Sequence, residues 1–199
     1  MLFDGAVLAV VIALIAGGRF PRLAQLGLRW PWVFVAAFGI RFCIIVLGVR
    51  GWQPVLVAAP ALHILSYLLL LAALAANWRL WPLCIAAAGV LMNFAVIAAN
   101  GGAMPADAAL VRAAGQGRLI ELVRGGNYPT HVLLDAHTRL PLLADRFLLS
   151  YPYPRPSVFS VGDIFITIGV MLLIIYGMGA FGWRRKEAPV ASAQRASEV

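Results

Sequence analysis

Long apolar runs separated by short polar punctuation set the pattern of this chain. Five stretches, residues 2–17, 31–49, 55–76, 80–99 and 162–182, are almost free of charge. A helix needs about 20 apolar residues to cross roughly 30 Å of hydrocarbon, so the pattern predicts an all-α polytopic bundle of about five transmembrane helices. The first run is short; it either tilts into a thinned bilayer or is prolonged by Gly17 and Gly18. Asp4 precedes its main part and Arg19 and Arg22 follow it, the reverse of a secretory leader, and it is read as a retained span.

Residues 100–161, between the fourth and fifth runs, form a connection too long to be structureless in a small protein. Pro105 after Gly101-Gly102 predicts a helix start. From Ala108 to Val123, apolar Leu110, Val111, Leu119, Ile120 and Leu122 alternate with Arg112, Arg118 and Glu121, which predicts a broken interfacial helix ended by Gly125-Gly126-Asn127. Residues 140–149 form a second apolar stretch able to dip into the membrane face. Tyr151 to Pro156 reads as an extended, rigid lead into the last span. The expectation is one transmembrane domain over residues 1–183, followed by a polar, disordered tail at 184–199.

Composition agrees and narrows the classes. Among 199 residues 62% are hydrophobic and only 12% charged, and mean hydropathy is +0.88, which excludes a soluble globular domain. The net charge of +8 is dispersed beside apolar runs, so it reads as a topology determinant rather than a nucleic-acid surface. Arg19, Arg22 and Arg29, then Arg79, then Arg184, Arg185 and Lys186 follow alternate spans. The positive-inside rule then puts the N-terminus outside and the C-terminus in the cytoplasm. Trp30, Trp32, Trp52, Trp78, Trp81 and Trp183 all fall at span ends, as interfacial rings do. Cys43 and Cys84 lie inside apolar runs and form no metal or disulfide pattern. No cofactor is called for, and the oligomeric state is not legible; membrane lipids are the expected partners.

Two sets of polar residues carry the candidate chemistry. Asp145, in the outer segment, and Asp163, opening the fifth run, could converge into a carboxyl pair that shares a proton, one acting as base and the other as acid. Against this, Ser160 with Asp163 three positions on has the form of a helix cap, and Asp145 could simply pair with Arg139 or Arg146. Asn100, His137, Arg139 and Arg146 are candidates to hold a substrate, and His131 with His137 could form a polar lid over Asp145. Two histidines and one aspartate without ligand spacing do not make a metal site. The second set, Arg41, His63 and Asn93, falls near the middle of three different spans. It is either a buried clasp or a path for an ion, proton or ligand. His63 lacks a second histidine at its depth, which argues against haem.

Three motifs carry a resemblance. Asn100-Gly101-Gly102-Ala103-Met104-Pro105, His137-Thr138-Arg139-Leu140-Pro141-Leu142-Leu143-Ala144-Asp145 and Ser160-Val161-Gly162-Asp163-Ile164-Phe165 resemble a bacterial integral-membrane family known only as a domain of unknown function. That likeness implies a bacterial inner-membrane protein of about five helices and no activity. Over residues 140–175 the chain also resembles the lipoprotein signal peptidase family, aspartic membrane proteases, with Asp145 and Asp163 matching the two catalytic aspartates and Gly169 following in a comparable place. Ser160-Val161-Gly162-Asp163 departs from that family's Asn-x-Ala-Asp, and its Gly-Asn-x-x-Asp-Arg motif has no counterpart here. Three readings follow: a hydrolase or binder of a lipid-linked or membrane-embedded substrate at Asp145 and Asp163, a non-enzymatic scaffold or assembly subunit, and a small carrier using Arg41, His63 and Asn93.

Overall fold

The computed structural model describes residues 1–182; the expected tail at 184–199, with Arg184, Arg185 and Lys186, lies outside the described residues. The helices of the bundle are α1 (Leu2–Ile15), α2 (Pro31–Val49), α3 (Gln53–Ala76), α4 (Trp81–Ala99) and, after the outer segment, α7 (Val161–Gly177). Prolines in the first turn of α2, α3 and α4 occupy positions whose N–H has no helical partner.

Three helices, α2, α3 and α4, are long and apolar enough to cross a membrane. A fourth span exists if α1 is joined to the 3-10 helix Phe20–Leu26, from which it is bent by 114°. The helix of the first run stops at Ile15 and is not prolonged by the glycines after it. The fifth run yields α7, apolar but only 17 residues long, followed by the short turn Ala180–Gly182. Three to four spans are therefore supported by length and composition.

The all-α expectation needs correction in the outer segment. It contains β1 (Met104–Ala106), α5 (Ala108–Ala113), α6 (Gly117–Arg124), β2 (His131–Leu133), β3 (Phe147–Leu149) and β4 (Ser157–Phe159). Strand β1 pairs in parallel with β2 and, at Ala106, bridges to Asp145; β3 and β4 form an antiparallel pair. Pro105 starts no helix but lies inside β1. The helix begins at Ala108 because the Asp107 carboxylate accepts the N–H groups of Ala109 and Leu110. The break expected in the helix over residues 108–123 is seen as the division between α5 and α6. Residues 140–149 form a 3-10 turn (Pro141–Leu143) and β3 rather than one apolar dip, and Tyr151 to Pro156 turns the chain from β3 into β4 instead of running extended. The Arg155 guanidinium, 2.7 Å from the Asp4 carboxylate, ties this hairpin to the start of α1.

The closest helix pair is α4 with α7, running antiparallel. A Cβ on Gly89 would strike the Gly162 carbonyl, one on Gly162 would strike the Asn93 side chain, and one on Gly169 would lie 2.5 Å from the Ala86 nitrogen. Small residues let these two backbones approach, the way membrane helices pack when lipid supplies no hydrophobic drive. Because Asn93 meets the first turn of α7 yet lies six residues short of the end of α4, α7 starts about 9 Å below that end. This sunken start accounts for the shortness of α7, and irregular backbone at such depth is tolerated only where protein covers it.

Candidate functional site

The recessed start of α7 creates a polar layer at the end of the bundle that adjoins residues 100–160. Ser160 accepts the Asp163 N–H at 3.1 Å and the Asp163 carboxylate accepts the Ser160 N–H at 3.0 Å, a complete capping box. Asn93 reaches into the same knot from α4. Its amide donates to the other Asp163 oxygen at 2.9 Å, and its carbonyl accepts the Ser160 hydroxyl at 2.9 Å. The capping role expected for Asp163 is thus present, and Asn93 adds a cross-helix anchor to it.

Arg41, on α2, lies about 12 Å below that helix's C-terminal end, eight residues before Val49. Its guanidinium donates to the Tyr67 hydroxyl at 2.9 Å and lies 5.7 Å from that ring's centroid. Among the described residues it forms no ion pair within 4.0 Å. Tyr67 stands four residues beyond His63, hence on the same face of α3, and the two rings meet edge to face at 5.4 Å. The His63 Nδ1 is 2.7 Å from the Gly102 carbonyl. A carbonyl only accepts, so Nδ1 carries the proton and the buried Nε2, which has no partner, presents a lone pair. Gly102 can enter here because it adopts φ +89° and lacks a Cβ, which would sit 2.7 Å from the Pro60 Cα.

Asp145 lies above this layer, held by its main chain: its N–H donates to the Pro105 carbonyl and its carbonyl accepts the Asp107 N–H. No arginine pairs with it among the described residues. Instead His131 Nε2 approaches one carboxylate oxygen at 3.6 Å, too long for a good hydrogen bond, while the other oxygen is buried without a hydrogen-bond partner among the described residues. Burial pushes the Asp145 carboxyl up; His131 opposes this, the Asp163 charge adds to it and Arg41 opposes it. Thr130 steadies His131 through a 3.0 Å contact with Nδ1.

The remaining candidates separate. Asn100 donates to the Arg139 carbonyl and accepts the Arg139 N–H, clamping that loop. His137 sits in an exposed turn whose main chain is fixed by Asp135, and Arg139 and Arg146 are exposed. Of the two expected lid histidines only His131 lies against Asp145. No group of three or more His, Cys, Asp or Glu suited to a metal ion occurs among the described residues. Tyr67 was not singled out by sequence, although its spacing from His63 is the signal that would have found it.

A cavity of about 380 Å³ opens beside the layer, bounded by α1, α2, α3, α4, α7 and β4. Arg41, Tyr67, Asn93 and Asp163 supply its polar wall, and Leu2 and Phe38 are among its apolar residues. Asp145 does not line it. The chamber therefore presents a cation and a carboxylate, with the hydroxyls of Ser66, Ser157 and Thr167 beside them, in a largely apolar recess, a setting suited to polar heads rather than bare hydrocarbon.

No curated protein and no solved structure matches the chain. One family does, over residues 25–175, a span that holds Arg41, His63, Asn93, His131, Asp145 and Asp163 and leaves out α1. On a match of that extent, the chain belongs to a family of unknown function (DUF5317).

Proposed function

We propose that the protein binds the head of a membrane-embedded amphiphile in the cavity beside Arg41, admitting it sideways from the bilayer. The observation that carries this is Arg41 itself. Arg41 is half-buried; a guanidinium at membrane depth is costly unless it is partnered, and a single tyrosine hydroxyl uses one of its five donors. A scaffold reading accounts for the Asn93–Ser160–Asp163 knot but leaves Arg41 without a reason. A carrier reading needs a polar path to the opposite face, whereas Leu74, Leu83 and Val90 are buried together in one apolar cluster.

The hydrolytic reading uses Asp163 together with Asp145 above the cavity as acid and base, with the local likeness to lipoprotein signal peptidases behind it. It is favoured by Asp145 being desolvated and within reach of the Asp163 charge. One experiment addresses both. Protein purified in mild detergent is expected to carry an extractable amphiphile, and Arg41→Gln and the cavity-filling Ala37→Phe each to reduce it at least tenfold. Equal retention in both variants would overturn the binding reading. If the pair cleaves its ligand, Asp145→Asn accumulates the intact precursor; the same species in native protein and variant would remove the hydrolase.

We further propose five spans in a bacterial inner membrane, α1 and α7 crossing with the other three, the N-terminus outside and the C-terminus cytoplasmic. The support is that the loops bearing Arg19, Arg29 and Arg79 gather at one end: the Asn77 side chain bonds both the N–H and the carbonyl of Arg29, and Arg19 N–H bonds the Met178 carbonyl. A compartment-sensitive reporter inserted at Gly126 should read outside and one at Arg79 inside. The opposite pattern would reverse the orientation.

A further inference from the structure

Two opposite charges line the cavity without being spent on each other. Arg41 and Asp163 both face it, yet among the described residues they form no ion pair within 4.0 Å. Neither group is free to swing across. Tyr67 holds the guanidinium, and Asn93 and the Ser160 N–H hold one carboxylate oxygen each.

A plain anion at Arg41 would sit beside the Asp163 carboxylate, and a plain cation at Asp163 beside the guanidinium. In a low-dielectric recess, either mismatch offsets much of what the favourable contact contributes. A head carrying both signs meets both walls. Guanidinium favours an oxyanion that can accept two parallel N–H bonds, as phosphate does. The unoccupied lone pairs of a carboxylate favour a group that donates hydrogens, which a primary ammonium does and a quaternary one does not.

We propose that the occupant is a zwitterionic amphiphile of the phosphoethanolamine class, its phosphate on Arg41, its ammonium on Asp163, and its chains leaving past Leu2 and Phe38 into the bilayer. This inference rests on the amphiphile reading above. A volume of about 380 Å³ suits a head group and the first carbons of a tail, not a whole lipid.

The test is native mass spectrometry of the full-length protein, stripped of lipid in detergent and titrated separately with dioleoyl phosphatidylethanolamine, phosphatidylglycerol and phosphatidylcholine. Phosphatidylethanolamine is expected to bind at least tenfold more tightly than either of the others. Arg41→Gln should lose it at least tenfold. Asp163→Asn, which still caps α7, should bring phosphatidylethanolamine and phosphatidylglycerol to parity. Phosphatidylglycerol binding as well as phosphatidylethanolamine in native protein, with Arg41 required, would overturn the zwitterion proposal and leave the amphiphile reading standing. If no lipid binds in an Arg41-dependent way, both fall. Should Asp163→Asn not fold, the native protein's preference decides alone.

Discussion

Gly162→Ala should unfold this protein at a markedly lower temperature, although one methyl is all that it adds. The new Cβ would collide with the Asn93 side chain and lie 2.7 Å from the Gly89 carbonyl. Backbone cannot yield as a flexible side chain can, so α4 and α7 must separate along the seam where they pack most closely. Overpacking of this kind costs about 1–3 kcal/mol, and the displaced Asn93 then loosens the α7 cap as well. Helix propensity pulls the other way, since alanine is favoured over glycine by about 0.5–1 kcal/mol. Gly39→Ala in α2 isolates that term, because a Cβ there meets nothing within 4 Å, and it should be neutral or slightly stabilising. Thermal unfolding in mild detergent, followed by tryptophan fluorescence, reads both. A Gly162→Ala protein melting with native would mean that the α4–α7 contact is not what holds the recessed layer.

The long spans were legible because apolar length alone identifies them, and so was the Ser160–Asp163 cap, a local pattern of four residues. What sequence could not supply was depth. Reading Asp163 as the outer edge of a span and Arg41 as mid-span separates them by half a membrane. They share one cavity because α7 begins below the end of α4, packed there through Gly89 and Gly162, an offset that no periodicity announces. The strands were hidden for another reason: three residues cannot display a period of two. Pairing of Asp145 with Arg139 or Arg146 was one reading of the sequence, but β1 lies between β2 and the bridge at Asp145 and brings His131 to it instead. Two constellations that looked independent meet at Asp163, which Asn93 bonds directly and which shares the cavity with Arg41, while Asp145 lies above them.

That layer makes Asn93 the residue whose loss should be felt most among the polar groups. In membranes an interhelical hydrogen bond contributes only about 0.6 kcal/mol on average, so a neutral clasp would be barely visible. Here the acceptor is a carboxylate at 2.9 Å and the same amide also takes the Ser160 hydroxyl. Asn93→Leu removes the donor from a partly buried charge and the acceptor from a buried hydroxyl together, and the expected cost is about 3 kcal/mol. Asp163→Asn should cost well under half as much, because asparagine still caps α7 and brings no charge. Made in the Asp163→Asn background, Asn93→Leu should then lose at least about 1 kcal/mol of its effect, the signature of coupled neighbours. Unfolding of the two single variants and the double variant in the same detergent measures this. Additive costs would mean that Asn93 supports α4 alone, and the knot would no longer explain why Asp163 is held facing the cavity. Coupled costs would place Asn93 as the group that fixes Asp163, and with it the carboxylate wall of the binding chamber.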